Sequence, residues 1–291
     1  MLKDKNLISC LAFALLGIVL SIVFFSSPIH DFGNYYFGSK FALQGVNIRD
    51  IYEPYKFNLL IRNLPGFQDL KFLYNYAVVP PFTLLCYLPF TVTDVYTSKL
   101  LFNIISVLGF SFSLFRLLRH LKIVSPLVLL LPLLLFIPFR NNILFGQTYL
   151  LLTAFLMTGF VAEEKNKNTM AAIFYALTIA LKISPAILLL YMLARKNYKA
   201  FSVTILFSSI FFLSSVYFTG WEFMKQYFLE FIPRMSTNEI NNPWATTYQS
   251  ITVLLRNLFI HDQLLNPTAM FSSAHNDYRF TYSILCGLST G

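Results

Sequence analysis

The segment Leu7-Ile-Ser-Cys-Leu-Ala-Phe-Ala-Leu-Leu-Gly-Ile-Val-Leu-Ser-Ile-Val-Phe-Phe-Ser-Ser27 contains no charged residue. A helix of roughly 20 apolar residues spans a bilayer, so this segment predicts a first transmembrane helix. It is longer than the apolar core of a secretory signal, and no Ala-x-Ala cleavage site follows, so we expect the helix to be retained. Lys3 and Lys5 precede it and predict a cytoplasmic start by the positive-inside rule.

The composition extends this prediction to the whole chain. Of the 291 residues, 56% are hydrophobic, 18% aromatic and 12% charged. A soluble domain usually has about 25% charged residues, so we expect an all-α, polytopic integral membrane protein. The net charge of +9 comes from 22 Lys and Arg residues scattered between apolar runs, with no continuous basic face. This pattern predicts membrane topology signals and a bilayer as partner, and it argues against nucleic acid binding.

Further uncharged runs follow the first one along the chain, at residues 72–93, 100–115, 123–139, 141–162, 168–181, 183–194 and 200–221. Two segmentations compete. In the first, 72–93 spans the membrane and 168–194 is one helix that carries Lys182. This arrangement places the basic cluster 116–122 outside, against the positive-inside rule.

In the second segmentation, Pro80, Pro81 and Pro89 break the earlier run into a short helix at the outer surface. The later run then splits near Lys182-Ile-Ser-Pro185 into two short membrane helices. All basic clusters fall inside, so we favour this segmentation. Both versions place two long loops outside, at about 28–71 and 222–279.

The predicted domain organisation is a single membrane domain over residues 1–291. The segment Tyr55-Lys-Phe-Asn-Leu-Leu-Ile-Arg62 in the first outer loop is amphipathic and suits a helix along the membrane surface. Residues 280–291 resemble the start of another membrane helix, so we expect the chain to be truncated at its C-terminus.

Two charged residues are the main candidates for chemistry. Asp31 follows the first helix closely, at its predicted outer mouth, where a carboxylate can act as a general base. The alternative is an interfacial carboxylate that caps the next helix. Lys182 interrupts a long uncharged stretch between Lys167 and Arg195, where a cation indicates function by default. It could bind a phosphate, or it could be a lysine that reaches from a helix end to the interface.

Other polar and aromatic residues are weaker candidates. Arg140 and Gln147 bracket a predicted short outer loop, where Arg suits phosphate and Gln suits sugar hydroxyls, although Arg140 could equally anchor the interface. Gln249 and Arg256 lie two helical turns apart and would share one face of a helix, or simply lie on a solvated one. Tyr35 and Tyr36 could stack on sugars or belong to an interfacial aromatic belt.

Several classes of site receive no support from the sequence. The three cysteines have neither CxxC nor Cys/His spacing, and His30 and His261 have no partner at metal-ligand spacing, so no metal is expected. No Gly-rich phosphate loop, serine nucleophile elbow or Asp-x-Asp motif is present, which argues against nucleotide donors and hydrolases. We expect no cofactor.

A set of short motifs resembles a known family. They occur in this order: Asp31-Phe-Gly-Asn-Tyr-Tyr36, Ala42-Leu-Gln-Gly45, Ile51-Tyr-Glu-Pro54, Val79-Pro-Pro-Phe82, Gly146-Gln147, Lys182-Ile-Ser-Pro185 and Tyr248-Gln-Ser250 with Arg256. The set is similar to glycosyltransferase family 87 and covers nearly the whole chain. The chain departs from the family at Tyr149, where Gly-Gln-x-Asn is usual, and at Tyr248, where Asn is expected.

This resemblance implies a GT-C-type helical bundle with extracytoplasmic loops and juxtamembrane helices. It implies a hexosyltransferase that moves mannose from a polyprenyl-phosphate donor to a glycan or glycolipid hydroxyl, with inversion. Asp31 would be the general base. The enzyme would lie in the plasma (inner) membrane with its active site facing the periplasm or cell exterior. The alternative class is a transporter or lipid flippase, which should show inverted repeats; none is evident in the sequence.

Overall fold

The computed structural model describes residues 2–68, 79–123, 128, 130–236, 254 and 257–261. Within these ranges the regular secondary structure is helical, as predicted for an all-α protein. The chain divides into two compact units, Met1–Tyr227 and Phe228–Gly291. The single domain over 1–291 stays a prediction, and the expected truncation concerns residues 280–291, which lie outside the described ranges.

The α-helices of the first unit are α1 Leu2–Val23, α2 His30–Leu43, α3 Ile48–Tyr52, α4 Pro54–Arg62, α5 Pro81–Tyr87, α6 Val95–His120, α7 Leu131–Leu134, α8 Phe136–Phe145, α9 Tyr149–Glu164, α10 Asn168–Leu181, α11 Ile187–Ala194, α12 Tyr198–Thr219 and α13 Trp221–Gln226. Short 3₁₀ turns cover Leu88–Val92 and Ser184–Ala186. A π-helical turn, Tyr227–Phe231, leads to α14 Ile232–Ser236.

Three helices in the described ranges are long and apolar enough to cross a membrane. They cover Lys5–Val23, Val95–His120 and Tyr198–Thr219. The pair α8 and α9 would form a fourth span if counted together, but the two helices are bent by 120° at their junction. The chain is therefore a polytopic membrane protein, and the first predicted span is confirmed.

The helices break where the second segmentation predicts, near the prolines at 80–81 and 89 and near Lys182–Pro185. The run 168–194 is not one helix: α10 ends at Leu181, Lys182 adopts an extended conformation, and α11 begins after a 3₁₀ turn that contains Pro185. In the described part of the earlier run, residues 79–93, the chain likewise forms the short α5 and a 3₁₀ turn that contains Pro89. Proline lacks the backbone N–H that a continuing helix needs, which explains both breaks.

One predicted boundary is wrong. The sequence suggested that Arg140 and Gln147 bracket a loop, but Arg140 lies inside α8. The helix continues to Phe145 and ends at Gly146, which has a left-handed conformation with φ 66° and ψ 41°. Glycine is the usual residue at this position because it has no Cβ to clash, so it marks the end of the helix more strongly than a charged residue does.

The long helices of the first unit run between two ends of the bundle, which we name after Asn6 and Asp31. Hydrogen bonds between helices show which helix termini lie together at each end. At the Asn6 end, the Asn6 side chain donates to the carbonyl of Ile123, 2.9 Å away. At the Asp31 end, Lys99 near the start of α6 bonds to Ser27 after α1. Helices α1 and α6 are therefore antiparallel.

Helix α9 runs parallel to α6. The side chain of Asn103, early in α6, donates to the carbonyl of Ile143, close before α9, at 2.9 Å. Further along, the hydroxyls of Ser113 and Thr158 lie 2.9 Å apart. The end of α9 therefore lies at the Asn6 end of the unit.

The loops before α10 and α12 meet at this same end. Arg195 pairs with Glu164 at 3.1 Å, and the side chain of Asn197 donates to Glu163 at 3.1 Å. The carboxylate of Glu163 is buried and also accepts from the Tyr175 hydroxyl at 2.8 Å. This network holds the ends of α9, α11 and α12 together.

Helix α2 fills the core of the Asp31 end. Residues 32–39 are all buried, and the ring of Phe32 lies 5.8 Å from those of Tyr87 and Phe102. The predicted amphipathic segment forms α4, which buries Phe57 and leaves Tyr55 75% exposed. The described part of the loop 28–71, which the sequence predicts to be outside, is thus largely helical.

Candidate active site

A buried lysine fixes the chain that leads into α2. Lys99 is 1% exposed, and its Nζ donates to Ser27 Oγ and to the Pro28 carbonyl oxygen, each at 3.1 Å. A buried ammonium is costly unless it is hydrogen-bonded, so these contacts hold the turn after α1 against α6. Asp31 follows in the first turn of α2. The sequence did not identify Lys99 as a structural residue, because it lies between the uncharged runs 72–93 and 100–115, where a lysine is expected to be in a loop.

Asp31 meets the turn between α8 and α9. The Nε2 of Gln147 donates to Asp31 Oδ2 at 2.6 Å, and both side chains are half-buried. The other oxygen, Oδ1, accepts no hydrogen bond from the described residues. Ile29 occupies the N-cap of α2 without a side-chain bond, so Asp31 does not cap this helix. A carboxylate held at one oxygen and open at the other can accept a proton.

The turn that carries Gln147 depends on Gly146. The Gln147 N–H donates to the carbonyl of Asn142 at 2.9 Å and closes the end of α8. A Cβ added to Gly146 would lie 2.6 Å from Phe32 Cβ, which is attached directly to the backbone of α2. The absent side chain of Gly146 thus lets this turn approach α2 next to Asp31.

We expect Gly146→Ala to destabilise the protein more than Gly45→Ala does. Both glycines have positive φ, 66° and 73°, but an added Cβ at Gly45 meets nothing within 4 Å. Each change should cost about 1–2 kcal/mol for the left-handed conformation, and only Gly146→Ala should add about 1–3 kcal/mol for the clash. The measurement is the free energy of unfolding in detergent. Equal losses for the two variants would contradict a tight turn against α2.

Lys182 and Tyr149 form the second part of the site. Lys182 follows the last turn of α10, and Tyr149 is the first residue of α9. Lys182 Nζ donates to Tyr149 Oη at 2.5 Å and lies 4.1 Å from the centre of the ring. The ammonium therefore gains both a hydrogen bond and a cation–π contact. Lys182 is half-buried and Tyr149 is 46% exposed.

Tyr35 lies in the same helix as Asp31. It is buried one turn after Asp31, with its ring 4.8 Å from that of Tyr87. Burial raises the pKa of the Tyr35 hydroxyl, and the negative charge of Asp31 raises it further. Tyr35 therefore stays protonated at neutral pH, one helical turn along α2 from Asp31.

Two predicted site residues have other contacts. Tyr36 is buried, and its hydroxyl donates to the carbonyl of Thr93 at 2.7 Å, which fixes α2 before the start of α6. Arg140 lies over the ring of Phe24 at 5.2 Å, and its Nη1 donates to Asn141 Oδ1 at 3.1 Å. These contacts give both residues a packing role at the Asp31 end.

Some predictions fall outside what the structure describes. These include Gln249 and Arg256, and the side chain of His30. Within the described ranges, no group of three His, Cys, Asp or Glu side chains could hold a metal ion.

The arrangement combines a carboxylate that can accept a proton, Asp31, with an ammonium that can bind an anion, Lys182. The turn 146–149 places an amide on the carboxylate of Asp31 and a phenol on the ammonium of Lys182. A carboxylate can activate a hydroxyl, and an ammonium can bind phosphate as a point charge. The sequence predicted Asp31, Gln147 and Lys182, but it noted Tyr149 only as a departure from a motif. Its position two residues after Gln147 was the available signal.

The chain matches the model of a known protein family. The model of glycosyltransferase family 87 matches residues 77–273, which is more than half of the chain. The matched range includes Gln147, Tyr149 and Lys182, and it begins after Asp31. The chain matches no curated protein and no solved structure.

Proposed function

We propose that this chain, which belongs to glycosyltransferase family 87, is a membrane enzyme that transfers a sugar from a polyprenyl-phosphate donor to an acceptor hydroxyl. The sugar is mannose, and the acceptor is a glycan or glycolipid. The observation that carries this proposal is the turn 146–149, which brings the base candidate Asp31 and the phosphate-binding candidate Lys182 into one site. Glycosyl transfer from a lipid phosphate needs these two groups together.

In the proposed reaction the acceptor hydroxyl oxygen attacks C1 of the sugar. The bond between C1 and the phosphate oxygen breaks on the opposite side, so the anomeric centre inverts. The hydroxyl proton passes to Asp31 Oδ1, while Gln147 keeps Oδ2 in place. The bonding electrons leave with the polyprenyl phosphate, and Lys182 stabilises the negative charge that develops there.

The distribution of basic residues supports an extracytoplasmic site. Lys5, the end of α6 and the loops at 165–167 and 195–199 share the Asn6 end of the first unit. Cytoplasmic loops carry an excess of Lys and Arg. We therefore place the Asn6 end in the cytoplasm and the Asp31 end at the outer face of the plasma membrane.

The direct test is a transfer assay on the purified protein in liposomes. Radiolabelled polyprenyl-phosphate mannose serves as donor and a membrane extract supplies the acceptor. We expect a new glycosidic product that carries the label, with polyprenyl-phosphate glucose used less efficiently. Movement of the donor between leaflets without product would instead establish a transporter. Preference for glucose would overturn the mannose assignment alone.

We expect the two ends of the first unit to differ in their accessibility to thiol reagents. In a background with Cys10, Cys86 and Cys286 replaced by Ala, a Tyr55→Cys variant should react with an impermeant maleimide in intact spheroplasts. A Lys165→Cys variant should react only after permeabilisation. Both positions are exposed on the protein, so burial does not account for a difference. The reverse pattern would place the Asp31 end in the cytoplasm.

A further inference from the structure

The pair of Tyr149 and Lys182 has hydrogen-bonding capacity that the protein does not use. An ammonium has three N–H donors, and a phenol hydroxyl has one donor and two acceptor lone pairs. The contact between Lys182 Nζ and Tyr149 Oη, at 2.5 Å, uses one N–H and one lone pair. Two N–H groups of Lys182 and the O–H of Tyr149 are left over.

These leftover donors are open to a ligand. Tyr149 is 46% exposed and Lys182 is half-buried. Among the described residues, neither side chain makes a second hydrogen bond. The donors belong to two atoms in direct contact, so the two non-bridging oxygens of one phosphodiester can each accept from one of them. A positively charged group with an adjacent O–H donor favours an anionic ligand such as phosphate over a neutral sugar.

We propose that Tyr149 is a second phosphate-binding residue, whose hydroxyl donates to one oxygen of the lipid-linked donor while Lys182 donates to the other. This inference rests on the proposed function. The ring of Tyr149 also restricts the lysine side chain, because the ammonium lies 4.1 Å from the centre of the ring. Tyr149 therefore positions the cation and binds the anion.

The location of Tyr149 supports a role in the same site as Asp31. It follows Gln147 by two residues, and Gln147 bonds directly to the Asp31 carboxylate at 2.6 Å. A phosphate on the Tyr149 and Lys182 pair would therefore lie beside the base.

The kinetic test compares Tyr149→Phe with a matched control, Tyr191→Phe. Tyr191 Oη accepts from Arg195 Nη1 at 2.8 Å at the Asn6 end, so it is the same kind of pair in a different place. We expect Tyr149→Phe to raise the KM for the donor by roughly three- to tenfold with little change in kcat. In a Lys182→Met background the effect should shrink. An unchanged KM, or an equal change in Tyr191→Phe, would overturn the inference.

A binding test separates this inference from the proposed function. At a fixed farnesyl phosphate concentration, the melting temperature of the wild type and of Tyr191→Phe in detergent should rise, and the rise should be clearly smaller in Tyr149→Phe, whose affinity is roughly three- to tenfold lower. Farnesol controls for the prenyl chain. A Tyr149-dependent rise in a protein that forms no glycosidic product would support the phosphate site and overturn the transferase. Product formation with an equal rise in Tyr149→Phe would overturn the phosphate role of Tyr149 alone.

Discussion

Asp31→Asn should reduce sugar transfer by roughly 10²- to 10⁴-fold, the usual contribution of a general base. Asparagine keeps the size of the side chain, and its carbonyl oxygen can still accept the hydrogen bond from Gln147 that the structure shows at 2.6 Å. It cannot accept the proton of the acceptor hydroxyl. The measurement is kcat for labelled mannose transfer, with donor binding followed separately. Donor binding should survive, because the proposed phosphate-binding residues, Lys182 and Tyr149, are unchanged in this variant.

Asp50→Asn is the matched control for this experiment. Asp50 is a carboxylate in the same segment between α1 and α5, paired with Lys56 at 2.8 Å. Its loss should leave kcat nearly unchanged, because an exposed ion pair contributes little. An active Asp31→Asn variant would move the base to another group, with Asp50 and Glu53 the next carboxylates to replace. Glu53 already caps α4 through Lys56 N at 2.6 Å, so it is the less available of the two.

Lys182→Met should raise the KM for the donor by roughly ten- to a hundredfold, since a hydrogen bond to a charged group contributes about 1.5–3 kcal/mol. Membrane insertion should be preserved, because removing a charge from an apolar stretch eases insertion. The assay is the donor dependence of transfer in liposomes, together with the yield of inserted protein.

Lys165→Met provides the control for a loss of positive charge, because Lys165 is exposed at the Asn6 end. It should leave the donor dependence as in the wild type. An unchanged KM in Lys182→Met would show that Lys182 takes no part in donor binding and is only a lysine at a helix end that contacts Tyr149. Poor insertion of Lys182→Met would contradict the expected ease of burying an uncharged side chain.

The features that the sequence determined by itself are local along the chain. The uncharged stretch 7–27 specifies a membrane helix, because length and hydropathy alone decide whether a segment can span a bilayer. The prolines at 80, 81, 89 and 185 specify short or broken helices, because the ring removes a backbone donor at a known position. Asp31 and Lys182 are also recognisable from local sequence, because Asp31 is a charge just after an apolar run and Lys182 is a charge in the middle of one.

The contacts that build the candidate site were decided only by the tertiary structure. Asp31 and Gln147 are separated by 116 residues, and Tyr149 and Lys182 by 33. No local pattern encodes which side chains meet at such separations, because the meeting depends on how α2, α9 and α10 pack against their neighbours. Lys99 likewise reads as a charge between two apolar runs until α1 and α6 come together and bury it against Ser27 and Pro28.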